Sequence, residues 1–499
     1  MKGYARFFLI AVMSLGLAFL LLTRVRTPWD APAEEIVAVV DSGDAGAEGG
    51  AMVADAAPVD AAPPKAVERP LRVVALGWEL VAAGAALTAP DGGPTGPHLE
   101  LAPETSLDAV KDRLARGGND AVGADIAVMP LPAFIVAYDS LRILDPRAFA
   151  VVGFSRGREE MHTTPNALLK APPAGDEVKL IALGPATASD ASAKAGGSES
   201  ATLLGLFGLD LLGVPSARVR MIAPGAADAK AAPFAAIVRG AADDRKLAFS
   251  TSDASRLIPI VAIAPKKQLD ESEPKMRAFA LAWLDGLARA GKDASNVARR
   301  LANKEALPLG AGVGGAPEAI ALLDRLGQIE PATLAQQSTL IGPGAKGAVT
   351  LETLTQRTWG LARAGGLTTS AAPDPLPIDA RVVTAIAPPP PPPAPTATDG
   401  GAADAGALAA LPIGSTPLLV YRASGADVDA AAVATQIGFL AGVFERAAFR
   451  VSAKGGEKAA RAIAAQARDR FVLPASRLAT AGGEPAGGAF AIVEVVTLP

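Results

Sequence analysis

The chain of 499 residues has no cysteine, only two histidines, and aromatic side chains at just 4% of its positions. The missing cysteines exclude a disulfide framework, thiolate metal sites, a cysteine nucleophile and a lipidated N-terminal cysteine. With 50% apolar residues and so few rings, the cores must be built from Ala, Val and Leu. Charge of one sign is missing too. The 47 basic residues are balanced by 51 acidic ones, and no Lys/Arg run forms the footprint that a phosphate backbone requires, so no nucleic-acid partner is expected. His98 lies in a Pro/Gly loop and His162 in GREEMHTTPN, and neither has a ligand-spaced companion. Both read as solvated loop residues; no catalytic residues, metal site or cofactor are expected. Gly310-Ala-Gly312-Val-Gly314-Gly315 has the spacing of a dinucleotide loop but lacks the strand that should feed one, so it reads as a helix-entry loop. Three carboxylate neighbours, Glu34–Glu35, Glu159–Glu160 and Asp243–Asp244, would point apart on regular structure and read as solvated.

What is present falls into segments. Residues 1–26 hold an uncharged apolar run, Phe7 to Leu22, flanked by Lys2 and Arg6 on one side and Arg24 and Arg26 on the other. A helix over it would span roughly 24 Å, short of a ~30 Å hydrocarbon core but helped by snorkelling arginines. No small-residue cleavage site follows, so the expectation is an uncleaved signal anchor in a bacterial inner membrane with the rest of the chain in the periplasm; the alternative is a cleaved signal peptide. Residues 27–70, rich in Ala, Asp, Pro and Gly, cannot bury enough surface to offset their ordering entropy and read as a disordered stalk. Residues 388–412, with six consecutive prolines, read as a linker. Two folded units remain, 71–387 and 413–499.

In the large unit, strands are expected at Leu71–Leu76, Ala124–Met129, Phe149–Phe154, Glu177–Leu183, Val219–Ile222 and Lys246–Ser250, with a further apolar run at Leu257–Ala264. Helices are expected at Ser106–Arg116, Glu199–Leu212 and Pro274–Gly291. Strands alternating with helices predict parallel α/β sheets with a ligand site at the strand ends, and the length predicts two lobes. The candidate contacts for a small polar solute are therefore the residues after strands or at a helix start: Trp78 and Glu79, Met129, Ser155 and Arg158, Ser198 and Ser200, Thr251 and Asp253. In the small unit the pattern gives strands at Pro417–Tyr421, Ala448–Ala453 and Ala489–Val496 and helices at Ala430–Glu445 and Lys458–Phe471.

Five pieces in order, LRVVALGWE, AVKDRLARGGNDAVGADIAVMPLPAFI, FAVVGFSRGREE, ATLLGLFGLDLLGVPSARVRMI and MRAFALAWLDGLARAGKDASNVARRLA, resemble periplasmic substrate-binding proteins of the nitrate/sulfonate/taurine and thiamine-precursor type. The resemblance implies two α/β lobes, a hinge, a solute-binding cleft between the lobes, and association with an ABC transporter rather than catalysis. ARAIAAQARDRFVLPASRLATAGGEP followed by AFAIVEVV resembles the second half of the OmpA-like peptidoglycan-associated module, a small α+β domain. In that family an Asp of a His-Thr-Asp-x-x-Gly loop and a helix Arg clamp the wall peptide. Here the loop is Val451-Ser-Ala-Lys454-Gly-Gly456, without His or Asp, and Arg461 lies near the family's arginine. This combination implies a degenerate wall-associated module. The expectation for the whole chain is a non-enzymatic envelope receptor, with a structural scaffold without a small ligand as the alternative.

Overall fold

A computed structural model describes residues 69–88, 97–170, 172–173, 175–183, 198–222, 226–239, 241, 243–305, 307, 315–341, 349–388, 416–425 and 428–497, the side chains of residues 183 and 198 excepted. The signal anchor, all but the last two residues of the 27–70 stalk, all but the first residue of the 388–412 linker, Glu34–Glu35 and Gly310 to Gly314 lie outside the described residues; Arg69, at the stalk's end, is held by Asp125 at 2.7 Å rather than disordered. Among the described residues, no helix is long and apolar enough to cross a membrane.

Strands β1 (Leu71–Leu76), β2 (Leu99–Glu104), β3 (Ile126–Pro130) and β4 (Pro146–Ser155) begin one sheet. The chain then crosses to lay down β5 (Glu159–Thr163), β6 (Val178–Leu183), β7 (Val219–Ile222), β8 (Phe234–Val238) and β9 (Lys246–Ser250) as a second sheet, and returns for β10 (Pro259–Pro265) and β11 (Ile329–Pro331). The sheet orders are β11-β4-β10-β3-β1-β2 and β7-β6-β8-β5-β9, which give two α/β lobes joined by two crossovers. β1, apolar and partly β-branched apart from the half-buried Arg72, is buried on both faces, as a strand parallel to both its neighbours β2 and β3 must be. The sheets are nevertheless mixed rather than parallel. β10 runs antiparallel to β3 and β4, and β5 runs antiparallel to β8 and β9. The cause is the path: β4 leaves the first lobe at the end by which β10 re-enters, so the two must run in opposite senses.

The helix Leu131–Leu141 begins directly where β3 ends, because Pro132 lies in its first turn, where no intrahelical N–H is needed. Its Tyr138 ring meets Trp359 edge-on at 5.2 Å, which seats the helix Leu351–Ala364 on the first lobe. That helix opens with a reciprocal cap between Thr350 and Thr353.

The small unit holds β12 (Leu419–Ala423), β13 (Ala447–Ala453), β14 (Leu478–Thr480) and β15 (Ala491–Thr497) in the order β12-β15-β13-β14, covered by the helices Ala430–Val443 and Gly456–Phe471. In the segment PASRLATAGGEP, Arg477 reaches back to the carbonyls of Ala441, Phe444 and Ala447 at 3.1, 2.6 and 2.8 Å. It thereby closes the C-terminal end of the first of these helices, where backbone carbonyls lack partners. A single apolar cluster runs through both lobes and this unit. Phe444 lies against Phe207 and Phe249 of the second lobe, with ring centroids 6.3 and 6.2 Å apart, and a Cβ on Gly442 would lie 2.4 Å from Val349.

Candidate functional site

β1 ends at Gly77, whose φ of 124° is glycine territory. A Cβ there would stand 2.5 Å from Glu79 Oε1, so the glycine lets the following 3₁₀ turn, Trp78–Val81, fold Glu79 back toward the end of the strand. Trp78 is buried, and Glu79 is only 3% exposed. The counter-charge for Glu79 comes from the first crossover: Arg158 Nη1 is 3.0 Å from Glu79 Oε1, and Arg158 Nε is 3.8 Å from Glu159 Oε1. One guanidinium thus sits between a carboxylate of the first lobe and a carboxylate at the first position of the second lobe's β5.

The two crossovers are stitched together beneath this pair. Thr251 Oγ1, just past β9, accepts the Gly157 N–H at 2.8 Å and the Glu159 N–H at 3.4 Å, and donates to Glu159 Oε2 at 3.3 Å. The Ser155 hydroxyl donates to the same carboxylate oxygen, and the Thr251 N–H donates to the Glu159 carbonyl at 3.0 Å. Glu159, 1% exposed, has its carboxyl pushed upward, first by burial; Arg158, Ser155 and Thr251 oppose the shift. Two carboxylate oxygens beside Arg158, Glu79 Oε2 and Glu159 Oε1, are buried and make no hydrogen bond. Glu199, in the first turn of the helix Ser198–Leu211, is raised to about 7. Burial is the main cause, and Asp108 adds to it, while backbone donors, Arg158 and Lys111 pull the other way.

Of the sequence candidates, Glu79, Ser155, Arg158 and Thr251 are brought together. The others have different places. Met129 is fully buried and paired in register with Val261, so it fills the core. Trp78 likewise packs inside. Asp253 accepts the Ser250 N–H at 2.8 Å and so holds the turn after β9. Ser200 is buried in the first turn of its helix, and Ser198 is that helix's first residue, its side chain lying outside the described residues. Arg461 is exposed and bonded to Glu457 one turn away at 2.6 Å.

Three solvated readings are corrected. Glu159 is buried because β5 lies between β8 and β9 and turns alternate residues inward. His162 is a half-buried strand residue, with ring contacts of 2.9 Å to Glu160 and 3.1 Å to the Arg245 carbonyl. Asp243 is enclosed by its 2.6 Å pair with Arg245. His98 is exposed, as expected. Sequence reasoning did not find Glu159 or Glu199. The only available signal was their position, immediately after a strand–loop junction or at a helix start.

The arrangement can recognise charge but offers no nucleophile with a base in solvent reach, because Ser155 is itself buried in the stitched crossovers. Among the described residues, no group of three or more His, Asp or Glu could hold a metal ion. Cavities of about 660 Å³ beside Leu340, Glu352 and Asp374 and about 300 Å³ beside Leu206, Arg357 and Leu361 do not touch Glu79 or Arg158.

No protein-family model matches the chain, and no curated protein matches it. Solved structures similar to the chain include binding proteins. The alkanesulfonate-binding protein SsuA from Xanthomonas axonopodis pv. citri bound to MOPS is 13% identical, with 60% of this chain and 93% of that one covered at a TM-score of 0.36. The periplasmic aliphatic sulphonate binding protein SsuA from Escherichia coli is 16% identical, covering 63% and 91% at 0.37. The periplasmic nitrate-binding protein NrtA from Synechocystis PCC 6803 is 12% identical, covering 48% and 67% at 0.31.

Proposed function

We propose that this chain is a non-enzymatic, receptor-like protein that takes a small polar solute between its two lobes. The observation that carries this reading is the convergence of Glu79 from one lobe with Arg158, Glu159 and Thr251 from the crossovers, leaving buried carboxylate oxygens without donors. Buried acceptors of this kind each cost about 1–3 kcal/mol unless something donates to them, and a solute lying between the lobes would do so. Anchoring through residues 7–22, exposure to the periplasm and descent of the small unit from an OmpA-like wall module belong to the same proposal; the PASRLATAGGEP element and the neighbouring Gly455–Gly456 turn support the last of these. The test is a thermal-shift screen of the full chain against anionic, cationic and neutral polar solutes. A saturable rise in Tm that is lost in Glu79→Gln supports the proposal, because ligand binding stabilises the native state by mass action. Silence across the whole screen rejects it.

A second reading, a scaffold with no small ligand, draws on a different observation. Arg256, on the returning crossover, bonds Glu445 of the small unit at 3.0 Å and Glu330 of β11 at 2.6 Å, and lies 4.5 Å from the centre of the Phe154 ring. The small unit therefore grips the segment that lobe closure would have to bend.

A further inference from the structure

The charges around the cleft do not cancel. Glu104 is answered by Arg113 at 2.5 Å and Asp108 by Lys111 at 2.5 Å, whereas Glu79 and Glu159 share the single Arg158 and Glu199 has no ion-pair partner among the described residues. With all three ionised, two carboxylates are in excess. The unsatisfied atoms are all of one kind: Glu79 Oε2 and Glu159 Oε1 are acceptors, and what they lack is a donor. A sulfonate or nitrate brings only acceptors and negative charge, and the Arg158 guanidinium is already held by Glu79. An ammonium brings three donors and a guanidinium five.

Resting on the receptor reading above, we propose that the solute is a small organic cation, an amine or a guanidinium, held by Glu79 and Glu159 in the place that the Arg158 guanidinium occupies here. Arg158 is then the internal occupant of its own protein's site, and the solute enters by displacing it. An organic cation fits better than a metal ion, since the described carboxylates do not gather into a metal-holding group. Burial is what pulls the Glu159 and Glu199 carboxyls upward, and a cation held beside them would draw them back toward the ionised form.

The experiment is calorimetric titration and thermal shift of the full chain with methylguanidinium and ethylammonium chlorides on one arm and sodium methanesulfonate and sodium nitrate on the other, at equal ionic strength against sodium chloride. The expected result is saturable binding of the cations, weakened at least tenfold in Glu79→Gln and in Glu159→Gln, with no binding of the anions. Arg158→Ala, which vacates the guanidinium position, is expected to bind methylguanidinium about tenfold more tightly than the wild type. Where that variant fails to fold, the two Gln variants carry the decision. Saturable binding of methanesulfonate or nitrate that survives Glu159→Gln overturns the cation assignment and leaves the receptor reading standing. Saturation by neither arm overturns the cation assignment, and the receptor reading then stands or falls with the neutral solutes of the wider screen.

Discussion

At the scale of single residues, the junction of the two lobes is governed by how few cations serve its carboxylates. Among the described residues Arg158 is the only cation that pairs with Glu79 or Glu159, and Glu199 depends on Arg158 and Lys111 at longer range against Asp108. Burial lifts the Glu199 carboxyl from its ordinary 4.5 to about 7, so between those values the folded chain keeps a proton that the unfolded chain has released. Stability must therefore fall as pH rises from about 4.5 to about 7 and then level off, by up to about 3 kcal/mol from this group. Urea denaturation across that range should show this slope, and Glu199→Gln should flatten it while raising stability at pH 8. An unchanged slope in the variant would assign the effect to another group.

At the scale of elements, the most informative unit is the pair of crossovers. A single hydroxyl, Thr251 Oγ1, holds the Gly157 N–H and the Glu159 carboxylate. Thr251→Val keeps the shape and removes the hydroxyl, and leaving these buried groups unpaired should cost about 1–3 kcal/mol, which Thr251→Ser should largely spare; chemical denaturation of both variants reads the difference. β1, β3 and the helix Glu273–Lys292 were legible in the sequence because their apolar patterns declare burial locally. β5 was not, since EEMHT looks soluble and is buried only because β8 and β9 flank it. The helix Leu131–Leu141 was hidden by prolines that read as breakers yet sit where a helix starts. The same divide runs through the site. Glu79, Ser155, Arg158 and Thr251 were visible as loop residues after strands, whereas Glu159 stands beside Glu160, and only the tertiary fold decides which of the two faces inward.

At the scale of the whole molecule, the small unit shares the apolar cluster of the lobes. The pairing of Arg256 with Glu445, 189 positions later, could not be read from the sequence because nothing local to either residue requires it. Phe444 packs against both Phe207 and Phe249, and Phe444→Ala in the full chain should cost about 3–5 kcal/mol. Because the core is shared, calorimetry should show one transition moving down as a whole; an early separate melting of the small unit would refute that coupling. The central claim, that solute is received at the Glu79–Arg158 cleft, is tested most directly by amide hydrogen exchange with a solute that stabilises the chain. The account predicts slower exchange at Gly157 and Thr251, whose N–H groups join the two crossovers, and no such protection in Glu79→Gln. Protection confined to the cavity beside Leu340 and Asp374 would contradict it.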